Sequence, residues 1–419
     1  MSETLIGQIP EHWETLSLGE LCARGGGDIQ TGPFGSQLHA SDYVRVGIPS
    51  VMPQNIGDNV IIEDGIARIS PEDAKRLKRY LLAPGDIVYS RRGDVERRAL
   101  VRAEQSGWLC GTGCLRIRLG TGANSRFLSY YLSHPEVRSY IVRHAIGATM
   151  PNLNTQILSA VPVVLPPRPV QQAIAVTLGA LDDKIAVNER AAGTIDELAA
   201  AKLSLLLSKF DDAAGWRLVR LEDIASINEL TVRPKSSGHL RYVDISSVSR
   251  GRIAWPYLIA WDEAPNRARR GVSFGDTIWS TVRPGRRSYA LVLEQDPELV
   301  ASTGFAVITP TRIGPAYLYS VVTRDEFVNY LESVAEGSAY PAVRAERFAA
   351  ALVSLPPKSL LTDFEAEVMP LRSRAHAAER ETLVLAKLRD TLLPKLISGE
   401  LRIRDAERAV EERAVEESV

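Results

Sequence analysis

The chain is written twice. Gly147, Pro151, Ala160, Leu165, Pro166 and Pro167 recur as Gly337, Pro341, Ala350, Leu355, Pro356 and Pro357, at a constant offset of 190 residues. Earlier in each copy, Trp13 followed by Leu18, Gly19, Glu20 and Leu21 parallels Trp216 followed by Leu221, Glu222, Asp223 and Ile224. Pro84-Gly85-Asp86-Ile87-Val88-Tyr89-Ser90 parallels Phe274-Gly275-Asp276-Thr277-Ile278-Trp279-Ser280. A Gly-Asp turn feeding alternating apolar residues predicts a turn and a half-buried strand. Ala99-Leu100-Val101 and Thr112-Gly113 return as Ala290-Leu291-Val292 and Thr303-Gly304. Each copy closes with a predicted helix, Phe127–Arg143 or Tyr317–Val334. One large unit used twice suits a target that itself comes in two halves.

The double prolines stop each globular unit cleanly, and a helical pattern follows each. Ile174, Leu178, Leu181, Ile185, Ala192, Ile195, Ala199 and Leu206 fall on a 3–4 spacing. So do Phe364, Val368, Leu371, Ala375, Ala378, Leu385, Leu392 and Leu396. Such spacing makes one apolar seam, as in a coiled coil. Asn188 and Lys202 interrupt the first seam, Thr382 and Arg389 the second. Gly179 and Pro370 predict a break or kink in each helix. Two seams in matched register predict helices that pack on each other, antiparallel, with a globular unit at each end. The fold class is therefore α+β: two strand-rich mixed α/β domains separated by two long helices in an antiparallel coiled coil. The expected boundaries are a first domain at 1–167, a spacer helix at 168–210, a second domain at 211–357, a second spacer helix at 358–402 and a disordered acidic tail at 403–419.

Composition narrows the function more than it defines it. The chain has 419 residues, enough for two or three domains with their own cores. No run approaches the roughly 18 apolar residues of a membrane span, and the N-terminus lacks the pattern of a secretory signal. Cys22, Cys110 and Cys114 suggest buried thiols rather than a disulfide framework. The expected compartment is the cytoplasm. From Asp405 onward six acids face two arginines, in a chain whose net charge is only −1. Arginines cluster at Arg91, Arg92, Arg97, Arg98 and Arg102, and at Arg267, Arg269, Arg270, Arg283, Arg286 and Arg287. Such patches bind phosphates even on a near-neutral chain, although a solvated arginine-rich surface accounts for them equally simply.

Enzyme signatures are absent. There is no Gly-x-x-x-x-Gly-Lys-Ser/Thr loop, and Gly111-Thr112-Gly113 is too short for a dinucleotide fingerprint. No Asn/Asp-Pro-Pro-aromatic segment marks an amino-methyltransferase. The six histidines form no metal spacing, and Cys110 and Cys114 lack a second pair. Asp73–Lys75 and Asp182–Lys184 have the spacing of a nuclease triplet but sit in predicted helices. The expectation is a binding protein with no catalytic residues, no metal and no cofactor of its own.

Polar, glycine-punctuated loops are the candidate binding surface. In the first unit these are Gln30 with Thr31, Gly32, Pro33, Phe34, Gly35, Ser36 and Gln37, then Gly47-Ile48-Pro49, then Pro53 with Gln54 and Asn55, then Ser90, Arg91, Arg92 and Gly93. In the second they are Arg233, Lys235, Arg241, Tyr242 and Asp244, then Ser280, Thr281, Val282, Arg283, Pro284, Gly285, Arg286 and Arg287. Amides can read adenine edges, arginines can read guanine or grip phosphate, and backbone N–H groups can hold phosphate oxygens. Any one of these residues is equally at home in ordinary turn chemistry.

Together these segments resemble a known family. The Thr-Gly-Pro-Phe-Gly-Ser loop at 31–36, Gly47-Ile48-Pro49, Pro53-Gln54-Asn55, the Gly85–Gly93 strand and the Leu-Pro-Pro before each long helix look like the specificity (S) subunit of type I restriction–modification enzymes. So does the ending Leu388-Arg389-Asp390-Thr391-Leu392-Leu393-Pro394-Lys395-Leu396-Ile397-Ser398-Gly399-Glu400-Leu401. The resemblance runs from residue 7 to about 404. It implies two target recognition domains, each reading half of a split site in double-stranded DNA, with the helices as the ruler between them. It implies docking of two modification subunits that carry S-adenosylmethionine and methylate adenine N6. Two restriction subunits, using ATP and Mg, are the further partners it suggests. The second unit lacks the Thr-Gly-Pro-Phe-Gly-Ser loop, so it is expected to read a different half-site. Two other readings stand beside this one: a nuclease or methyltransferase with unrecognised catalytic residues, and a duplicated scaffold that binds only protein.

Overall fold

A computed structural model describes residues 2–147, 151–208 and 215–402. The acidic tail expected at 403–419 lies outside the described residues. The chain divides into two compact units. The first runs to Ala186 and takes in the segment from Leu383 onward; the second is Val187–Thr382. Each unit therefore contains one globular domain and a part of both long helices.

Each unit is built on two sheets, alike at the centre of the first and different at the edges. In the first, five strands lie in the order Asp28–Thr31, Cys114–Arg118, Ile87–Ser90, Arg98–Leu100, Asp58–Asn59. A second sheet has the order Leu109–Cys110, Ile48–Val51, Ala67–Ile69, Tyr43–Val44. The second unit has Ala225–Ile227, Phe305–Pro310, Thr277–Ser280, Tyr289–Leu291 in one sheet. The other holds Leu258–Ala260, His239–Val243, Leu299–Ser302, Ala268–Gly271. The central pairing is the same in both: Cys114 lies opposite Ser90, and Phe305 opposite Ser280, in antiparallel ladders. The predicted Gly-Asp turn starts this strand each time. Asp86 Oδ2 accepts the Ala83 N–H at 2.8 Å, and Asp276 Oδ2 accepts the Ser273 N–H at 2.7 Å. The carboxylate closes the turn, which is why aspartate follows the glycine twice.

A two-stranded ribbon roots each long helix. Glu14–Ser17 pairs with Pro162–Leu165, and Arg217–Arg220 with Leu352–Leu355, both antiparallel. The closing helices differ from the sequence expectation. Instead of Phe127–Arg143 there are two, Ser125–Tyr131 and Pro135–His144; instead of Tyr317–Val334 there are Pro315–Val322 and Asp325–Ser333. Pro135 opens a new helix after the cap residue His134 in the first unit, since proline fits a first turn and not an interior.

The long helices run Arg168–Leu207 and Lys358–Ser398, 40 and 41 residues without interruption. The expected breaks are absent. At Gly179 the missing side chain makes room for Arg126, which donates from Nη2 to the Gly179 carbonyl at 3.0 Å; a Cβ there would lie 2.3 Å from Arg126 Cζ. Pro370 remains inside the second helix, so packing overrides its local preference. Every seam position named above is buried or half-buried. Within the second unit the partners are antiparallel: Asn188 Nδ2 donates to Glu381 Oε2 at 2.8 Å, Arg372 pairs with Asp196, and Lys202 pairs with Glu367. Within the first unit, Arg389 Nη1 meets Asp182 Oδ1 at 2.9 Å, and Ile174, Leu178 and Leu181 share a core with Leu392, Leu393 and Leu396. Three of the four polar interruptions, Asn188, Lys202 and Arg389, thus have a partner on the facing helix, as buried polar groups require.

Candidate nucleic-acid interface

In the first unit five loops converge. The Gly32 N–H donates to the Cys114 carbonyl at 2.9 Å, and Thr112 Oγ1 donates to the Pro33 carbonyl at 3.1 Å. The Arg91 N–H reaches the Gly113 carbonyl at 2.8 Å, and the Leu153 N–H reaches the Arg91 carbonyl at 2.8 Å. A Cβ on Gly32 would sit 2.0 Å from the Gly111 oxygen, and one on Gly113 would lie 3.2 Å from Pro53 Cγ. Segments 31–37, 52–54, 91–93, 111–113 and 151–153 therefore form one surface. Gly111-Thr112-Gly113, too short for a nucleotide loop, is instead the spacer that lets the others meet.

On this surface Phe34, Gly35, Ser36, Gln54 and Arg92 are exposed, Thr31, Gln37 and Arg91 half-buried, and Gly32 and Pro33 buried. Gln37 Oε1 accepts from the Phe34 N–H at 3.2 Å and from Tyr80 Oη at 2.8 Å, so its oxygen shapes the loop. Arg91 donates from Nε to the Leu153 carbonyl at 3.2 Å, and its guanidinium lies 5.9 Å from the Phe34 ring centroid. Two expected contact residues are spent on the fold instead. Asn55 is 1% exposed: its Oδ1 accepts the Met52 N–H at 3.1 Å and its Nδ2 donates to the Ile62 carbonyl at 3.2 Å. Ser90 is buried and its Oγ donates to the Arg92 carbonyl at 3.0 Å.

The second unit reproduces this bonding with other side chains. The Thr281 N–H donates to the Gly304 carbonyl, the Val343 N–H to the Thr281 carbonyl, both at 2.8 Å, and the Arg283 N–H to the Pro341 carbonyl at 2.7 Å. Ser280, buried like Ser90, donates from Oγ to the Val282 carbonyl at 2.9 Å. Thr281 Oγ1 is held by the Gly304 carbonyl at 2.9 Å. Thus Arg91, Arg92 and Gly93 correspond to Thr281, Val282 and Arg283. Gly93 and Arg283 share a left-handed backbone, φ 75° and 51°. For arginine that conformation costs about 1–2 kcal/mol that glycine does not incur. Its guanidinium lies 4.6 Å from the centroid of Tyr340, a residue absent from the sequence-based candidates. No periodicity or motif marks a single tyrosine in a Gly-Ser-Ala-Tyr-Pro loop.

The remaining second-unit candidates separate. Arg286 is exposed; Arg287 pairs with Asp325 at 2.6 Å, which holds it above its ordinary pKa. Arg233 is exposed on the loop before the sheet that holds His239–Val243. Arg241 and Tyr242 belong to that sheet. Arg241 is tied to Asp296 at 2.8 Å and to the Pro256 carbonyl at 3.1 Å, and Tyr242 packs on the Leu240, Trp261 and Val300 cluster. The Arg241 guanidinium is thus engaged within the fold, while Tyr242 is half-buried with its ring on the cluster. Two members of the first arginine cluster are similarly engaged: Arg98 is buried on the Ser129 carbonyl and Asp58, and Arg97 pairs with Asp94. Arg92 and Arg286 carry no ion pair among the described residues.

Among the described residues, no group of His, Cys, Asp and Glu is placed to hold a metal. All three thiols are buried and free, and burial pushes Cys22 and Cys110 up to about 12, so they are protonated at neutral pH. Among the described residues, no helix is long and apolar enough to cross a membrane.

These features define a class: a duplicated recognition protein whose two copies keep one backbone scaffold and change the side chains it displays. Residues 10–196 match the family model of the type I restriction modification DNA specificity domain. The MjaIX type I restriction enzyme specificity subunit of Methanocaldococcus jannaschii is 20% identical and aligns over 96% of both chains. The MjaVIII specificity subunit of the same organism is 23% identical over 48% of this chain and 47% of its own. The crystal structure of the S subunit of a type I restriction–modification system from M. genitalium superposes with a TM-score of 0.61 at 16% identity, covering 93% of this chain and 98% of that one. Residues 10–196 thus match a type I specificity domain, and along nearly its whole length the chain is similar to a type I specificity subunit.

Proposed function

We propose that this chain is the non-catalytic, sequence-reading subunit of a type I restriction–modification complex in the cytoplasm. Each unit reads one half of a bipartite site in double-stranded DNA. The observation that carries this reading is the pair of matched loop scaffolds. The same backbone hydrogen bonds present Arg91-Arg92-Gly93 in one unit and Thr281-Val282-Arg283 in the other. Identical scaffolds with different side chains are what two different half-sites require.

The long helices set the gap and dock two modification subunits, which supply S-adenosylmethionine; restriction subunits, with ATP and Mg, complete the nuclease. A 40-residue helix is about 60 Å long, enough to span half-sites one helical turn apart, roughly 34–36 Å. Two weak half-sites joined by a stiff link bind tightly only when the spacing matches. The near-neutral chain relies on its partners for part of the phosphate grip.

The test is to co-express the chain with its methyltransferase and map adenine methylation. The expected result is a bipartite motif with a fixed non-specific gap that vanishes without this chain. A continuous motif, or methylation of the same motif without the chain, rejects the proposal.

A further inference from the structure

The arginine at position 283 does something the fold does not need. The equivalent residue of the first unit is Gly93, which takes the same left-handed backbone without strain and makes the equivalent hydrogen bond, from its N–H to the Pro151 carbonyl at 3.1 Å. What Arg283 adds lies in its side chain alone. Its guanidinium covers one face of the Tyr340 ring at 4.6 Å and donates from Nη2 to the Ala339 carbonyl at 3.4 Å. Tyr340 is nevertheless 71% exposed, so the pair buries little apolar surface and adds little to the core. A left-handed arginine thus sets its guanidinium over an exposed aromatic ring on the rim of the second loop cluster.

The first unit reaches the same arrangement from different positions. Phe34 is 53% exposed, and the guanidinium over it, at 5.9 Å, comes from Arg91, whose second-unit equivalent is Thr281. The Arg91 guanidinium is anchored in turn on the Leu153 carbonyl. Each loop cluster thus carries one exposed aromatic ring with a guanidinium over one face. The two pairs use non-equivalent residues, so duplication of the scaffold does not explain them.

We infer that Phe34 and Tyr340 are stacking platforms for the π-face of a nucleobase, one in each half-site. A ring with a guanidinium behind it and its other side toward solvent accepts the flat face of a base, and stacking needs no hydrogen-bond code. In a duplex that face becomes available only where a base step opens, so each platform holds its half-site in a locally unstacked form. This rests on the DNA-reading function proposed above and adds a contact of a different kind, to base faces rather than base edges. Specificity then includes how easily a step in each half-site unstacks.

The experiment measures binding of the complex of this chain with its modification subunits to duplexes carrying both half-sites, only the first, or only the second. Wild type is compared with F34A, Y340A, Y340F and R283G. The expected result is a double dissociation. Tyr340→Ala lowers affinity about tenfold or more wherever the second half-site is present and leaves the first-only duplex unchanged, and Phe34→Ala does the reverse. Tyr340→Phe retains binding, because the ring face is kept. Arg283→Gly, which the fold accepts at Gly93, gives an intermediate loss. Placing 2-aminopurine along each half-site locates the opened step, as a fluorescence change that the corresponding alanine variant abolishes. Affinity within twofold of wild type for both alanine variants overturns the inference while leaving DNA reading intact. Equal losses on both half-sites also overturn it. A wild-type complex that prefers neither half-site removes the proposed function, and the inference with it.

Discussion

Asp276 accepts a hydrogen bond from Thr309 Oγ1 at 2.7 Å, at the place where Asp86 of the first unit is paired with Arg118 at 2.6 Å. Both aspartates close the turn that launches the central strand, and both are 2% exposed. One has a countercharge and the other does not. Burial therefore holds the Asp276 carboxyl above its usual 3.8, with hydrogen bonds from Thr309 and the Ser273 N–H offsetting part of the rise.

The native second unit binds this proton more tightly than the unfolded chain does. The stabilising contribution is fully present below 3.8 and is lost as pH rises through the raised native value. Replacing Thr309 by arginine restores the first-unit pair and removes that loss. Chemical denaturation between about pH 4 and about pH 7 should show the second-unit transition of T309R gaining relative to wild type as pH rises. Parallel curves would mean that Asp276 is ionised in the native state.

Arg389 tethers the second long helix to Asp182 on the first, and Tyr130 Oη donates to the other oxygen of that carboxylate at 2.5 Å. Removing one member of such a pair leaves a half-buried charge exposed to its own desolvation cost. Arg389→Ala should lower the stability of the first unit by about 3 kcal/mol, and adding Asp182→Leu should recover most of it. Urea denaturation of both variants checks this; a double variant no better than the single would place the loss in packing instead.

Gly32 has no room for a side chain, because the Gly111 carbonyl oxygen occupies the space. The obstacle is backbone and cannot swing aside, so Gly32→Ala should push the 31–37 and 111–113 loops apart. The expected effect is loss of first half-site recognition of about tenfold or more, with the second half-site unaffected. Competition binding with duplexes altered in one half-site measures it.

Pro370 sits inside a continuous helix and leaves the Ala366 carbonyl without its usual donor. Pro370→Ala should raise second-unit stability by about 1–3 kcal/mol in denaturation. No gain would show that the carbonyl is already satisfied by another donor.

Much of the fold was legible because its signals are strong and repeated. The aspartates of the two turns, the paired prolines at 166–167 and 356–357, and the seam from Ile174 to Leu206 each act through local physics, and each recurs. The failures have tertiary causes. Gly179 reads as a helix break until Arg126 is seen to lie against it. Asn55, Ser90 and Arg241 have the chemistry of a reading surface, yet their polar groups are bonded within the fold, and sequence alone cannot tell a buried amide from an exposed one. Tyr340 was invisible for the opposite reason: its position only acquires meaning once Arg283 is placed over its ring.

In the function proposed above, the helical pair sets the gap between the two half-sites. The direct measurement is methylation mapping of a variant with seven residues, one heptad, inserted at facing positions of both helices, after Arg190 and before Glu379. Seven helical residues add about 10 Å, close to three base pairs. Both half-site sequences should stay the same while the gap between them lengthens by about that amount, or methylation should be lost because no duplex face matches. A changed half-site sequence, or an unchanged gap, would contradict it.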